Sequence, residues 1–272
     1  MISSFNVDHF KNQLRTTWLG SEVIYLKKVE STNTYLKKIP SSDLVHGTIV
    51  ITDNQTRGRG QYQKKWDSQP GKDLTFTIGL RPPEHSRLTL LTLGLANAAA
   101  KVIESYITEP VHLKWPNDIL VGDKKISGFL TECVFVGQQQ DRVCIGIGLN
   151  VSKRTFKGKL LNKATSLCML TDSEIEREKL LSELLLGMEQ AYHKWHKMDT
   201  GLIKSINNKM LNYGDWVRLQ VNGRVKKGSF KFLGINEKGE LIALNEELDV
   251  NTFSHEQIRI ISNRTKISTA AE

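Results

Sequence analysis

The 272-residue chain has no long apolar run. None of its hydrophobic stretches approaches the roughly 18 residues that a membrane-spanning helix needs. The N-terminus, Met1-Ile2-Ser3-Ser4-Phe5-Asn6, has neither the charged nor the apolar region of a secretory signal. A cytoplasmic location without a membrane partner is therefore expected. Cysteine is scarce. Cys133, Cys144 and Cys168 are odd in number, fit no metal-site spacing and stand in apolar contexts. They read as small core residues rather than nucleophiles. The formal net charge of +9 invites a nucleic-acid reading, yet there is no run of five or more basic residues. An aromatic-lined set of basic strands for stacking bases is also missing. An anionic nucleotide or an acidic protein partner accounts for the charge equally well. Internal repeats and low-complexity segments are absent, and a hydrophobic content of 39% is enough for a real core.

What is present centres on residues 52–66. The β-type run Thr48-Ile49-Val50-Ile51 leads into Thr52-Asp53-Asn54-Gln55-Thr56-Arg57-Gly58-Arg59-Gly60-Gln61, followed by Tyr62-Gln63-Lys64-Lys65-Trp66. With no apolar residue between Ile51 and Tyr62, this stretch cannot bury itself and reads as a surface loop. Its glycines widen the backbone's choices, and backbone N–H groups beside Arg and Lys suit a phosphate or carboxylate. Trp66 adds a flat apolar face for a ring. A basic surface loop with one partly buried Trp is an equally good reading of the composition. The spacing is neither that of a P-loop nor that of a dinucleotide fingerprint.

Along the chain, residues 5–18 suit a helix with Phe10, Leu14 and Trp18 on one face. Glu22–Leu26 suits a strand, with Ser31 or Thr32 as an N-cap before a short helix over Thr34–Lys38. Leu74–Leu80 alternates as a strand with one buried face, ended by Pro82-Pro83. Leu88–Tyr106 is an Ala-rich helix. Val111–Trp115 is a strand stopped at Pro116, where Pro116-Asn117-Asp118 also reads simply as a turn. Lys124–Val136 and Arg142–Ile147 form a hairpin closed by residues 137–140. Gly128, Gly146 and Gly148 within it signal close approach by a ligand or backbone. Ser173-Glu174-Ile175-Glu176 is a capping box opening a long helix that carries Leu181, Leu185, Tyr192 and Trp195. His193 and His196 on it have no third ligand nearby and read as a solvated helix end. Leu202–Leu211 is a further helix. From Trp216 the pattern turns to short strands, Val217–Val221, Gly228–Ile235, Leu241–Leu244 and Ile258–Ile261, with turns at Asn222-Gly223 and Lys238-Gly239.

Five segments carry a resemblance, in order: Glu30-Ser31-Thr32-Asn33, the loop from Gln55 to Trp66, Lys114-Trp115-Pro116-Asn117-Asp118, Lys124-Lys125-Ile126-Ser127-Gly128, and Gly146-Ile147-Gly148-Leu149-Asn150. Together they resemble the biotin protein ligases over roughly residues 20–262. The expected fold class is accordingly α+β: a mixed sheet with helices on one face, class II synthetase-like, plus a small C-terminal SH3-like β-barrel. The expected division is a biotin- and ATP-binding catalytic domain over 1–212, the barrel over 213–262 and a disordered tail over 263–272. Some relatives carry an N-terminal winged helix and repress transcription. The stretch before the first strand is too short for the roughly 50 residues of a separate domain. The resemblance therefore implies the monofunctional form, with no DNA partner.

The resemblance also implies the chemistry. Biotin and ATP react to biotinyl-AMP, with Mg2+ on the phosphates, and a lysine of a biotin carboxyl carrier domain of a biotin-dependent carboxylase then takes the biotin. Lys125 would bridge the biotin carboxylate and the α-phosphate, with Lys124 exposed. Arg59, Gly58 and Gly60 would wrap the biotin tail and phosphate. Ser31, Thr32, Asn33 and Gln55 would meet the ureido ring, and Gly128 and Leu130 would floor its pocket. Trp66, Gln61, Lys64, Asn117 and Asn150 would serve the nucleotide, Asn117 also the phosphate-bound metal. Asp118 would orient the incoming lysine or take its proton. Relatives occur as monomers and dimers, so a homodimer stays open. A lipoate or octanoate ligase, a non-catalytic biotin binder and a nucleic-acid module are the competing readings.

Two departures matter. Many relatives have a basic residue where Gln61 stands and Gly where Gln63 stands, while Lys64 keeps charge without Arg's bidentate fork. The expected outcome is faster loss of biotinyl-AMP than from an Arg-containing relative, measured as dissociation of labelled adenylate.

Overall fold

In the computed structural model, the described residues are 4–61, 64–82, 87–221, 223–254 and 258–261. The expectations for Tyr62, Gln63, Pro83, Asn222 and the 263–272 tail lie outside them. The fold is built on a seven-stranded mixed sheet in the order β1-β2-β3-β7-β6-β5-β4. Its strands are β1 (Val23–Leu26), β2 (Thr48–Thr52), β3 (Asp73–Leu80), β4 (Val111–Lys114), β5 (Asp118–Val121), β6 (Lys124–Val136) and β7 (Gln139–Asn150). Only the β1–β2 pair is parallel among the described strands of this sheet; every other neighbour runs antiparallel.

The sheet's two faces have opposite characters. One presents Ile49, Ile51, Phe76, Ile78, Ile145 and Ile147 to the main core. Against it lie α3 (Leu88–Glu104), α4 (Arg177–His196) and α5 (Thr200–Lys209). Leu91, Leu95 and Ala99 of α3 and Leu181, Leu185 and Met188 of α4 are buried at helical spacing. The other face carries the short α2 (Thr32–Lys37), which packs on β2, β3 and β7. There Leu36 and Leu44 form a small cluster with Val50 and Cys144. The long helices thus share one face, as expected, while α2 does not. For the same reason β3 is buried along its whole length, not on one face only: Thr75 and Thr77 are covered from the α2 side. Cys144 is a sealed core thiol, pushed up to about 12 by burial, and none of the three cysteines is in a disulfide.

The N-terminal segment packs on the body. Helix α1 (Val7–Gln13) is shorter than the 5–18 periodicity predicts. Its Phe10 is fully buried, and acidic side chains of α4 hold its flanks. Glu189 accepts from the backbone N–H groups of Thr17, Trp18 and Leu19 at 2.9–3.1 Å, and Glu178 accepts from Asn6 N at 2.7 Å. This arrangement overturns the capping box. Helix α4 starts at Arg177 with no side-chain cap from Glu176, because the Glu176 carboxylate is engaged with His9 of α1. His193 stands beside Trp18 and Tyr192 in an aromatic cluster. Among the described residues no group of three or more His, Cys, Asp or Glu could hold a metal ion, and no described helix is long and apolar enough to cross a membrane.

From Trp216 the chain forms a second, curled antiparallel sheet, β12-β11-β10-β8-β13 with β9 beside β8. Its strands are β8 (Trp216–Val221), β9 (Arg224–Val225), β10 (Phe230–Ile235), β11 (Leu241–Leu244), β12 (Val250–Phe253) and β13 (Ile258–Ile261). β9 and β12 were not legible beforehand. This unit fits the SH3-like expectation and is joined to the rest of the fold by polar contacts. Trp115 Nε1 donates to the Gly239 carbonyl at 3.1 Å, and Ile235 N donates to Asn207 Oδ1 of α5 at 3.0 Å.

One buried ion pair ties three elements together. Asp53, at the exit of β2, accepts from Arg177 at 2.8 Å, from the Tyr25 hydroxyl at 2.6 Å and from Phe5 N at 3.2 Å. Both charged side chains are more than nine-tenths buried. Arg177→Ala leaves that carboxylate without its charge partner and is expected to cost about 3 kcal/mol of stability, read as a lowered urea midpoint.

Candidate active site

Cross-strand register explains where the cavity lies. On the α2 face of the large sheet, Thr52, Thr75, Gly148, Gly128 and Asp118 form one row across five strands. Val50, Thr77, Gly146 and Leu130 form the next. Two adjacent rows therefore have no side chain at their centre. Other parts of the protein fill part of that hollow. A Cβ on Gly146 would lie 2.3 Å from Asn33 Oδ1, and one on Gly148 would lie 2.2 Å from the Trp66 ring. A Cβ on Gly128 would meet the Lys125 ammonium at 2.7 Å. The strand glycines are thus required by close approach, but the approaching groups are the chain's own side chains rather than the ligand or backbone expected. What stays open is a cleft of about 220 Å3.

One end of the cleft is neutral and rich in hydrogen-bonding groups. Ser31 caps α2, accepting from Thr34 N at 3.4 Å. Gln55 Oε1 accepts from Thr32 N at 2.9 Å. The Thr77 hydroxyl lies 2.7 Å from Thr32 Oγ1 and 2.6 Å from Asn33 Oδ1. Thr75 Oγ1 and Trp66 Nε1, both on the cleft wall, are buried with no hydrogen-bond partner among the described residues. Thr75 and Thr77 were not singled out as site residues. Their signal was present as the polar alternation of β3, read there only as a solvent face.

The other end is cationic. Lys64, Lys114, Lys125 and Arg259 all border it. Partial desolvation holds the Lys64 ammonium below its usual range, and Arg259, Lys125 and Lys114 push the same way while Asp118 opposes them. Arg259 comes from β13 of the second sheet, and nothing in the local pattern Ile258-Arg259-Ile260 marks it. The backbone of Lys125 is fixed from both sides, its N–H donating to the Lys163 carbonyl and its carbonyl accepting from Thr165 N, each at 2.9 Å. Its side chain crosses Gly128 to reach Asp118 Oδ1 at 2.5 Å, and its ammonium sits 5.7 Å from the Trp66 ring centroid. Asp118 therefore faces the central lysine. Lys124 is exposed, as expected.

The 53–72 loop is more ordered in its bonding than its composition suggests. Its root runs beside residues 29–30, with Thr56 N on the Val29 carbonyl and Arg57 N on the Glu30 carbonyl. Neither Gly58 nor Gly60 has a positive φ. Gly58 is needed because a Cβ would lie 2.5 Å from Gln55 Nε2 and 2.6 Å from the Trp66 carbonyl. Gly58 is a packing point rather than part of the cleft lining, and so is Asn150, a buried strand end whose Nδ2 donates to the Thr165 carbonyl at 2.9 Å. Asn117 does border the cleft, with its Nδ2 on the Phe129 carbonyl. Gln61 and Leu130 border it too. Arg59 is there as well, but its guanidinium turns towards α2 rather than the cationic end.

A narrow cleft with a neutral, hydrogen-bonding end and a cationic end, joined by one lysine, suits a carboxylic acid held beside a polyphosphate. That is the arrangement of a carboxylate-activating ligase. The chain belongs to the biotin/lipoate A/B protein ligase family, whose model matches residues 25–150. It is 32% identical over 239 residues to the bifunctional ligase/repressor BirA of Bacillus spizizenii, covering 86% of this chain and 73% of that protein. It is 29% identical to the biotin–[acetyl-CoA-carboxylase] ligase of Mycobacterium tuberculosis, covering 69% of this chain and 70% of that one. The solved biotin protein ligase of Aquifex aeolicus, in complex with biotin and ATP, superposes with a TM-score of 0.76 at 30% identity, covering 89% of this chain and 99% of the other.

The cleft floor supplies a sharp test. Gly146→Ala puts a methyl group against Asn33 and is expected to weaken binding at the neutral end at least tenfold. Gly148→Ala displaces the Trp66 ring instead and should act on the nucleotide. Calorimetric titration with biotin and with ATP separates the two.

Proposed function

We propose that this protein is an ATP-dependent biotin ligase that converts biotin to biotinyl-5'-AMP and then transfers the biotinyl group to a lysine of a biotin carboxyl carrier domain, that of a biotin-dependent carboxylase. The observation that carries this reading is Lys125. Its ammonium stands where the neutral and cationic ends of the cleft meet, fixed by backbone bonds on both sides.

The ureido ring of biotin is a flat polar group with two N–H donors and one carbonyl acceptor. Ser31, Thr32, Asn33 and Gln55, with Thr75 beside them, offer matching hydroxyl and amide groups. The acyl tail then runs along the Asn33, Trp66 and Lys125 side chains that lie on the strand glycines, with Leu130 beside it, so that the carboxylate reaches Lys125. In the first step a carboxylate oxygen attacks the α-phosphorus, the bond to the β-phosphate breaks and pyrophosphate leaves. Lys125 holds both reacting anions and neutralises charge as it builds, worth several kcal/mol in a water-poor site. Lys64, Lys114 and Arg259 line the place where the β- and γ-phosphates and then pyrophosphate would lie, and Trp66 offers its face to the adenine. Gln61 borders this end without charge.

In the second step the carrier lysine's neutral amine attacks the acyl carbon, AMP leaves with the phosphate oxygen, and the amine gives up a proton. Asp118 is its acceptor once Lys125 has turned from it to the substrate's anions. Magnesium, which supplies charge neutralisation on the phosphates when bound, fits this site only as a passenger on the nucleotide. Asp118 is the one carboxylate among the described lining residues, and Asn117, its Nδ2 engaged, has its amide oxygen as the remaining acceptor.

ATP–pyrophosphate exchange tests the reading, with biotin, with lipoate and with neither. Exchange that requires biotin and falls at least a hundredfold in Lys125→Ala is expected; exchange with lipoate instead would replace the substrate. Asp118→Asn is expected to leave biotin-dependent exchange measurable while slowing transfer to a carrier domain by tenfold or more. Transfer at the parent rate would remove Asp118 from the second step.

A further inference from the structure

Arg59 is the single arginine that the 53–72 loop brings to the cleft among the described residues, yet it does not face the cationic end. Its guanidinium donates to Thr34 Oγ1 of α2 at 3.0 Å and lies 3.5 Å from Glu132 Oε1 of β6. Glu132 stands one row beyond Leu130 and Gly146, opposite Cys144. Its other contacts belong to α2: Lys37 Nζ on Oε1 at 2.7 Å and Asn33 Nδ2 on Oε2 at 2.9 Å. Burial alone would raise this carboxyl, but the bonds from Lys37 and Asn33 and the charges of Lys37 and Arg59 outweigh it. Glu132 is held below the usual carboxylate range and stays ionised.

The three contacts differ in kind. Lys37 and Asn33 join Glu132 to an element that is already part of the folded sheet. Arg59 joins it to the loop that borders the cleft. The Arg59 contact is also the longest of the three and the most exposed, with 43% of the arginine side chain accessible. A fixed anion with a strong permanent partner and a weaker loop-borne one can release the loop without losing its own place.

We propose that Glu132 is a positioning residue of the reaction: through Arg59, with Thr34 as second holdfast, it keeps the 57–61 stretch of the loop against α2 at the edge of the cleft and so sets how long the acyl-adenylate is kept between the two steps. The inference rests on the biotin-ligase reading above. It also gives Arg59 a role that does not need a phosphate contact. The neutral Gln61 at the cleft adds no charge of its own to this hold.

The test uses the whole chain loaded with labelled biotinyl-AMP and measures its release, alongside biotin-dependent ATP–pyrophosphate exchange and thermal unfolding. Glu132→Gln keeps the side chain's shape and removes its charge. Release is expected to quicken about fivefold, the upper range for a partly exposed ion pair, while exchange persists. Arg59→Gln should quicken release similarly, and the double variant should release no faster than Arg59→Gln alone. If the two effects multiply, Glu132 acts through Lys37 and Asn33 as fold support, and the proposal is overturned. Thr34→Val, which leaves every Glu132 contact in place, guards against a Glu132 variant that fails to fold. Faster release is expected there too, and release at the parent rate would overturn the latch. Absence of biotin-dependent exchange in the parent chain would instead sink the ligase reading itself, and the latch with it.

Discussion

A β-sheet can let side chains from elsewhere lie flat on its backbone only where neighbouring strands give up their own together, and the site depends on that coincidence. Gly148 and Gly128 are paired across β7 and β6, and Gly146 follows in the next row. On this floor Asn33 arrives from α2, Trp66 from the loop and Lys125 from its own strand, each within the space a Cβ would occupy. The remaining cleft is thin because its walls have already moved in. A flat ring and an unbranched tail suit such a space. The opposite face of the same strands supplies the rigidity, since Ile145 and Ile147 alternate with these glycines and are buried under the helices.

Much of this was legible in the residues. The strand glycines, the Trp66 loop and the paired lysines are local signals, and a local signal survives without knowledge of the fold. The helical stripes of α3 and α4 survive for the same reason. What was not legible is what distant segments do to one another. The Ser173–Glu176 pattern reads as a capping box, but α1 engages the Glu176 side chain. Thr75 and Thr77 read as a solvent face, but Thr77 meets Thr32 and Asn33 of α2 and Thr75 is buried on the cleft wall. The placement of α2 across from the other helices follows from its contacts, which no periodicity within six residues could announce. Arg259 could not have been nominated at all, because its proximity to Lys64 exists only through the docking of one sheet on the other. Asn150 shows the reverse failure: its motif is real, yet its amide serves the strand end.

The second sheet is more than an appendage. Trp115 belongs to the Lys114–Asp118 segment that lines the cleft, and its indole nitrogen is satisfied by Gly239 in a turn of that sheet. Gly239 is itself forced by closeness, since a Cβ there would lie 2.5 Å from Leu90 N. The small unit thus reaches the site twice, once by bracing Trp115 and once by presenting Arg259. Charge at the cationic end is assembled from both sheets.

Asp53 sits where strand becomes loop, and its carboxylate also receives Phe5 N, Tyr25 and Arg177. The first described residues of the chain are therefore fastened to the root of the 53–72 loop, a point that can serve as its hinge. Linkage is reciprocal. If fraying of the N-terminal helix loosens that hinge, then a ligand that steadies the loop must steady the helix by the same free energy. Amide protons of α1, far from the cleft, become reporters of its occupancy, and an extension fused ahead of Phe5 acts on the loop's freedom before it touches anything else.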